Sequence, residues 1–461
     1  MLRGEKIKKI FTTIFIVILT LIPLSLCFNR SVWLDEAFSL RWSMLPFASF
    51  VNRITLDVCP LYLLVLRIVL TITNNSLLAA KLFSVLAVFL IFIMGLRFIR
   101  KEFGYKAMVF YCLFILFTPM MLKKSVEVRT YTWTFLLVSL SCVQMYYLLK
   151  SSCTRKNWIL FTVTSLAAAY THYFAVLSLV VVYAGLLIFY LLTHNIKQIK
   201  AWLVCAVCTV IIYLPWVPII LRQSKSETTS WIPISTSRLG IMRNMFRSGI
   251  PRLENVYILL LIIFLIMGII LFCRLKTADL YWSVVCMSTV WIILVFGLFC
   301  EKTFRPILVD KYLMIPLCIS IMGMSYICKY IPKYLLCLPC LLFVITGFSV
   351  YPVVYAEEYN TLTDITLQFV DENVHEGDII VYDSGSLCSV IPYYFPNILD
   401  RGVEIYDIYS EDYDYLWYFA TEDTLDPKKL KENNIQCIDY GMYGFDLNFT
   451  IYYLYHAEEF R

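Results

Sequence analysis

The segment Ser31-Val32-Trp33-Leu34-Asp35-Glu36-Ala37-Phe38-Ser39 places two adjacent carboxylates directly after an apolar run at 10–28. Residues 1–356 hold only 11 acids, and charge is costly close to hydrocarbon. Two readings stay open: acid–base chemistry, or a solvated turn in which Asp35 caps a following helix. Further polar groups lie between apolar runs: Asp57 ahead of Cys59-Pro60-Leu61-Tyr62, Glu127 with Arg129 and Tyr131, and Arg305 shortly before Asp310-Lys311-Tyr312-Leu313. His172, one of four histidines, sits between two apolar runs, where a hydrogen-bonded structural role and a catalytic one both fit. Asp35, Glu36 and Glu127 could gather a divalent cation, but their spacing matches no ligand motif, so a metal or other cofactor is left unassigned.

These residues must be positioned by membrane helices. The chain has 461 residues, 60% hydrophobic and 16% charged, with a mean hydropathy of +0.74, against roughly a quarter charged in globular chains. Eleven apolar runs read as spanning helices: 10–28, 77–98, 106–122, 130–149, 157–171, 173–192, 200–221, 255–273, 279–299, 307–328 and 333–351. The stretch from Pro60 to Thr73 starts with proline and contains Arg67; it is too short to span and is expected to lie along the outer surface. The basic start, Arg3 to Lys9, and the basic turns around Arg97/Lys106, Lys150/Lys156, Lys197/Lys200, Arg274/Lys276 and Lys329/Lys333 then share one side. The positive-inside rule makes that side cytoplasmic. The polar motifs and everything after Tyr351 fall outside, in the cell membrane's extracytoplasmic leaflet and beyond. The same outer face collects many cations, among them Lys123, Lys124, Arg129 and Lys311, which suits anionic headgroups or a lipid-linked phosphate.

Residues 357–461 carry 22 acids against 5 Lys/Arg. The expected organisation is therefore a basic membrane domain, 1–356, and an acidic extracytoplasmic α/β domain, 357–461. Such a tail repels phosphate backbones, and nucleic-acid binding is excluded on that ground. The tail is expected to contain a helix at 359–373, strands at 379–382, 403–408, 413–420 and 435–440, and a helix starting near Asp426-Pro427. Cys388 and Cys437 are expected to be free thiols. The tail has no catalytic constellation and is expected to shape the acceptor side.

Trp33-Leu34-Asp35-Glu36-Ala37-Phe38-Ser39 at the end of the first helix resembles the signature of GT-C superfamily membrane glycosyltransferases, in particular the family 39-like group of protein O-mannosyltransferases, lipid A aminoarabinose transferases and related bacterial enzymes. Asp57 with Pro60-Leu61-Tyr62 resembles that group's Pro-Pro-Leu-Tyr element, and Ser125-Val126-Glu127-Val128-Arg129-Thr130-Tyr131 its Ser-x-Glu-x-Arg-x-Tyr element. Thr171-His172-Tyr173 is similar to its Thr-His-Tyr element, and Asp310-Lys311-Tyr312-Leu313 to an Arg-Tyr-Leu element, with Lys311 where Arg is commoner. The order along residues 1–350 agrees as well.

The resemblance implies a mainly α polytopic bundle of about 11 transmembrane helices. It implies transfer of a sugar from a polyprenyl-phosphate donor to a lipid, glycan or protein acceptor on the extracytoplasmic side, among membrane lipids. Asp35 would be the general base, with Glu36 beside it. Arg129, Lys311 and Arg305 would hold the donor phosphate, and Asp57, Tyr62, Glu127, Tyr131, His172 and Tyr312 would line the substrate site. A phosphate leaving group departs as an anion and needs no acid to protonate it, so one base and a few cations suffice. The alternative is a transporter or flippase of lipid-linked sugars, which would keep charges near the bilayer midplane. Here the polar groups gather at one face.

Overall fold

The computed structural model describes residues 2–57, 59–150, 154–225, 232, 239–410, 413–422, 424–445 and 447–456, apart from the side chains of 2–9, 56, 57, 224 and 225. Helix α1 (Leu2–Leu24) is followed by three short helices, α2 (Leu34–Met44), α3 (Phe47–Asp57) and α4 (Pro60–Ile72). A long helix follows, built of α5 (Leu77–Met94), a π-helical turn and α6 (Arg100–Phe103). Next come α7 (Tyr105–Phe117), α8 (Pro119–Lys124), α9 (Tyr131–Leu148), α10 (Arg155–Ala169), α11 (Tyr173–Leu192), α12 (Ile196–Tyr213), α13 (Val217–Lys225) and α14 (Gly240–Met245). The membrane domain ends with α15 (Leu253–Leu275), α16 (Ala278–Thr303), α17 (Asp310–Ile327) and α18 (Lys333–Glu358).

All eleven apolar runs are helical. Among the described residues, seven helices are long and apolar enough to cross a bilayer by length and composition, the first being Leu77–Phe103 and the last beginning at Lys333. Ile10–Leu24, Pro60–Ile72 and Tyr105–Phe117 are shorter apolar helices. The chain is a multi-pass membrane protein. Proline explains the shortness of α7: Thr118 is extended before Pro119, and the chain restarts as α8 with proline at its first position, where a missing N–H costs nothing. Within the stretch from Pro60 to Thr73, α4 is a 13-residue helix. Its Arg67 donates to the carbonyls of Ser43 and Leu45 and so satisfies the last carbonyls of α2.

One continuous core joins α5, α7, α9, α16 and α17. Helix α17 lies at its centre, with Leu313 to Ile327 buried throughout. Backbones approach most closely where a side chain is absent, as membrane helix pairs commonly require. A Cβ on Gly347 of α18 would run into the ring of Phe117 at the end of α7. Gly347→Ala is therefore expected to destabilise the bundle by about 1–3 kcal/mol, read as a lower thermal midpoint in detergent; an unchanged midpoint would mean that the two helices separate freely.

The tail begins at α19 (Thr361–Asn373), capped by Asn360, whose side chain accepts from Leu362 N. It continues through β1 (Ile379–Tyr382), α20 (Ile391–Tyr394), β2 (Leu399–Gly402), β3 (Tyr415–Ala420), α21 (Pro427–Glu432), β4 (Ile435–Gly444) and β5 (Asn448–His456). The sheet order is β2-β1-β3-β5-β4. Strand β1 is parallel to β2 and β3, and β5 is antiparallel to β3 and β4. The strand expected at 403–408 lies instead at Leu399–Gly402, a four-residue edge strand half-exposed along its length, which carries no apolar pattern to read. Strand β5 was not expected at all. Cys388 and Cys437 are free.

The sheet's two faces do different work. Ile380, Tyr382, Trp417 and Phe419 join Val32, Ala37, Leu40 and Trp42 of the α2 region in one core. Val381, Leu416 and Tyr418 face the other way, against Ile408 and Tyr413. The tail therefore packs directly on the short helices that carry Asp35.

Candidate active site

Trp33 is extended, at φ −91° and ψ 172°, so α2 starts at Leu34 and puts Asp35 and Glu36 in its first turn, where the helix dipole favours negative charge. The Asp35 carboxylate accepts from Lys311 Nζ at 2.6 Å, and its Oδ2 lies 3.8 Å from the Arg129 guanidinium. Arg129 also donates to the Asp35 carbonyl at 3.3 Å and to Ser39 Oγ at 3.1 Å, so it is fixed to two successive turns of α2. Burial alone would raise the Asp35 pKa, but Arg129 and Lys311 outweigh it and hold the carboxyl at about 2. Lys311 belongs to the first turn of α17 and Arg129 to the turn before α9. Elements distant in sequence thus meet on one carboxylate.

Glu36 turns toward the Glu127–Arg129 turn and lines the cavity described below. Its Oε1 accepts from Val128 N at 2.8 Å and its Oε2 from Trp33 N at 3.4 Å, tying the start of α2 to the Glu127–Arg129 turn. Burial pushes its pKa up. Glu127 pairs with Lys124 while its carbonyl accepts from Ser84 Oγ at 2.6 Å; burial raises its pKa too, against Lys124. Both glutamates are bound to neighbours that shape the site.

His172 caps α11: its Nδ1 accepts from Phe174 N at 3.1 Å, which leaves the proton on Nε2 in the neutral ring. Burial, then Arg129 and Lys311, depress its pKa to about 3, so it stays neutral. The ring stacks edge-on against Tyr312 at 4.9 Å and lies 5.9 Å from Tyr131. Tyr62 is buried at the start of α4, 6.0 Å from Phe83 between ring centroids. Asp57 ends α3, and its side chain lies outside the described residues. Of the residues expected at the site, Glu36, Glu127 and Lys311 line the cavity described next, whereas Asp35, Tyr62, Arg129, Tyr131, His172, Arg305 and Tyr312 are not in its lining.

That cavity has a volume of about 270 Å³ and is lined by Ser31, Trp33, Glu36, Met120, Lys123, Lys124, Glu127, Asp310, Lys311, Glu357 and Glu358. The Trp33 ring carries Lys124 at 4.5 Å and Lys311 at 5.1 Å. Arg129 Nε and Tyr131 Oη are buried without a hydrogen-bond partner among the described residues. Such groups are rare in the interior, and here they sit beside a concentration of cations. Reasoning from the sequence did not assign Lys123, Lys124, Trp33, Glu357 or Glu358 to the site. Lys123-Lys124 directly precede Ser125-to-Tyr131, and Trp33 directly precedes Leu34-Asp35, so adjacency to a motif was the available signal. Nothing local marks Glu357 and Glu358. No three His, Cys, Asp or Glu side chains converge on one point among the described residues.

No family model and no curated protein sequence matches the chain. Solved structures do. ArnT from Cupriavidus metallidurans in the apo state superposes with a TM-score of 0.62 at 12% identity, covering 95% of this chain and 98% of that one. The same protein bound to undecaprenyl phosphate gives 0.61 at 11%, covering 96% and 97%. The archaeal oligosaccharyltransferase AglB from Archaeoglobus fulgidus, in complex with an inhibitory peptide and a dolichol-phosphate, gives 0.50 at 11%, covering 85% and 64%. Near-complete mutual coverage by ArnT extends through the tail as well as the helices, and the chain shares the fold of that protein.

Proposed function

We propose that the protein is a membrane glycosyltransferase that takes a sugar from a polyprenyl-phosphate donor and passes it to a hydroxyl-bearing acceptor on the extracytoplasmic side. The observation that carries this reading is the Asp35 carboxylate held by Lys311 and Arg129, next to a cavity in which Lys123, Lys124 and Lys311 alternate with the carboxylates of Glu36, Glu127, Asp310, Glu357 and Glu358. Lys311 and Lys124, which line the cavity, and Arg129, which shares the Asp35 carboxylate with Lys311, are the donor phosphate's partners. Asp35 accepts the acceptor's proton as the phosphate leaves. Glu36 is a positioning residue that holds the α2 and Glu127–Arg129 backbones in register. The bound undecaprenyl phosphate and dolichol-phosphate of the structurally similar proteins support this class of donor, and the side on which the basic turns gather supports the orientation.

Donor binding tests it. Lys311→Ala removes one charge-assisted contact and is expected to weaken binding of an undecaprenyl-phosphate sugar by about tenfold or more, measured on purified protein. Lys311→Arg keeps the charge and should retain most of the affinity. Equal affinity in wild type and Lys311→Ala would remove Lys311 from the donor site.

A further inference from the structure

The geometry points to a second, separate binding site in the tail, one that takes an uncharged pyranose unit of a glycan chain. A cavity of about 570 Å³ lies beside Asp383, the segment Val403 to Tyr409, Tyr418 and Thr424. Its size falls in the roughly 300–1,000 Å³ range of pockets that take small organic ligands. Its place in the sheet is the one where α/β folds bind ligands. Strand β1 is flanked by β2 on one side and β3 on the other, both parallel to it. The chain thus leaves β1 toward one side and later crosses to the other, which makes the carboxyl end of β1 a topological switch point. Asp383 directly follows β1, and Val403 directly follows β2.

The lining decides the ligand. Among the described residues it contains three carboxylates, Asp383, Glu404 and Asp407, and no Lys or Arg. Phosphates, nucleotides and acidic sugars are repelled by such a wall. A metal ion is not favoured either, since no three candidate ligands converge among the described residues. Three tyrosines, 406, 409 and 418, supply ring surface, and tyrosine presents an apolar face with a polar tip. An uncharged sugar has the complementary character: C–H faces that pack on rings, and hydroxyls that donate to carboxylates.

The frame is rigid. Asp383 accepts from Thr421 N and Oγ1 at 2.9 Å each, which ties the ends of β1 and β3 together. Tyr409 Oη accepts from Asp426 N at 2.9 Å, and Lys429 lies over the Tyr409 ring at 5.2 Å. Glu404 and Asp407 are exposed and face no such commitment of both oxygens. Tyr418 is on the sheet face opposite the one that packs against α2, so this cavity and the Asp35 site are distinct.

The test uses the full-length protein in a detergent without a sugar headgroup, with tetrasaccharides of glucose, mannose and N-acetylglucosamine as neutral probes and one of glucuronic acid as the anionic probe. Saturation-transfer NMR and calorimetry are expected to detect millimolar or tighter binding of at least one neutral probe and weaker binding of the anionic one. Tyr406→Ala should weaken neutral binding about tenfold. The double variant Glu404→Gln/Asp407→Asn, which keeps the turn around Asp407, should narrow the gap between neutral and anionic probes and remains informative if Tyr406→Ala folds poorly. Failure of all three neutral probes to bind, or a selectivity unmoved by the double variant, overturns the proposal. The outcome is independent of the transferase reading: Asp35→Asn protein should bind the probes normally even if transfer is never found.

Discussion

Asp35→Asn is expected to lower sugar transfer by roughly 10²–10⁴-fold, the usual effect of losing a positioned base, while the protein folds and inserts normally. The asparagine keeps the shape and one carbonyl oxygen for Lys311 but cannot accept a proton. A carboxylate held at about 2 is a poor base as it stands, and the cause lies in its partners. Lys311 and Arg129 stabilise the anion, and they are also the groups a phosphate would engage. When the donor phosphate draws them away, their stabilising charge is shared and the carboxyl rises toward its ordinary value near 3.9, or above it because burial then acts with less opposition. On the proposed reading, donor binding therefore makes Asp35 a stronger base than it is in the free protein.

A pH prediction follows with its sign. Because the free enzyme's Asp35 lies below its ordinary value, it is ionised throughout the neutral and mildly acidic range, and the ion pair's contribution to stability is lost only as pH falls toward about 2. The acid limb of kcat/KM reports the free enzyme and that of kcat the bound one. The limb of kcat should therefore lie at higher pH than that of kcat/KM. Coincident limbs would show that the cations stay on Asp35 throughout the cycle, and near-normal turnover by Asp35→Asn would remove it from the mechanism.

The helices were legible because apolar runs of spanning length have few other uses, and all eleven are helical. Asp35, Arg129 and Lys311 were legible as a set only through motif resemblance, since 94 and 276 residues separate Asp35 from its two partners and no local rule links them. Glu36 shows the limit of the approach. Its adjacency to Asp35 suggested shared chemistry, but successive residues on a helix point about 100° apart, and that rotation turns Glu36 onto the backbone of Val128. For His172 a hydrogen-bonded structural role and a catalytic one were both open, and its Nδ1 caps α11. The tail's parallel strand β1 was readable as a buried apolar run, whereas β2 and β5 were not: the first is a polar edge, and the second is a run of tyrosines whose pairing with β3 and β4 depends on contacts outside itself.

Lys81→Met is expected to be strongly destabilising, by about 3–5 kcal/mol. The Lys81 side chain has no solvent exposure and is surrounded by acceptors: Glu358 Oε2 at 2.8 Å, Asn29 Oδ1 at 2.7 Å and the Ser31 carbonyl at 3.1 Å. Three protons meet three oxygens, so the ammonium is fully satisfied. Methionine fills the space but leaves the Glu358 carboxylate, 16% exposed, without its cation. The penalty is that of an orphaned charge rather than the loss of a favourable pair, and so the double variant Lys81→Met/Glu358→Gln should recover much of it. Chemical or thermal unfolding in detergent distinguishes the cases; a Lys81→Met protein within about 0.5 kcal/mol of wild type, the range of ordinary surface changes, would mean that water reaches the pair. The same contact bears on whether the tail can be removed. Glu358 ends α18 at the junction with the tail, and Lys81 belongs to α5, so a chain cut at Tyr355 loses the carboxylate and strands the lysine in the interior. It also uncovers Val32, Ala37 and Leu40, which the tail's sheet covers. Because those residues surround Asp35 and Glu36 in sequence, the cut would disturb the candidate active site even though Asp35, Arg129 and Lys311 all lie before it.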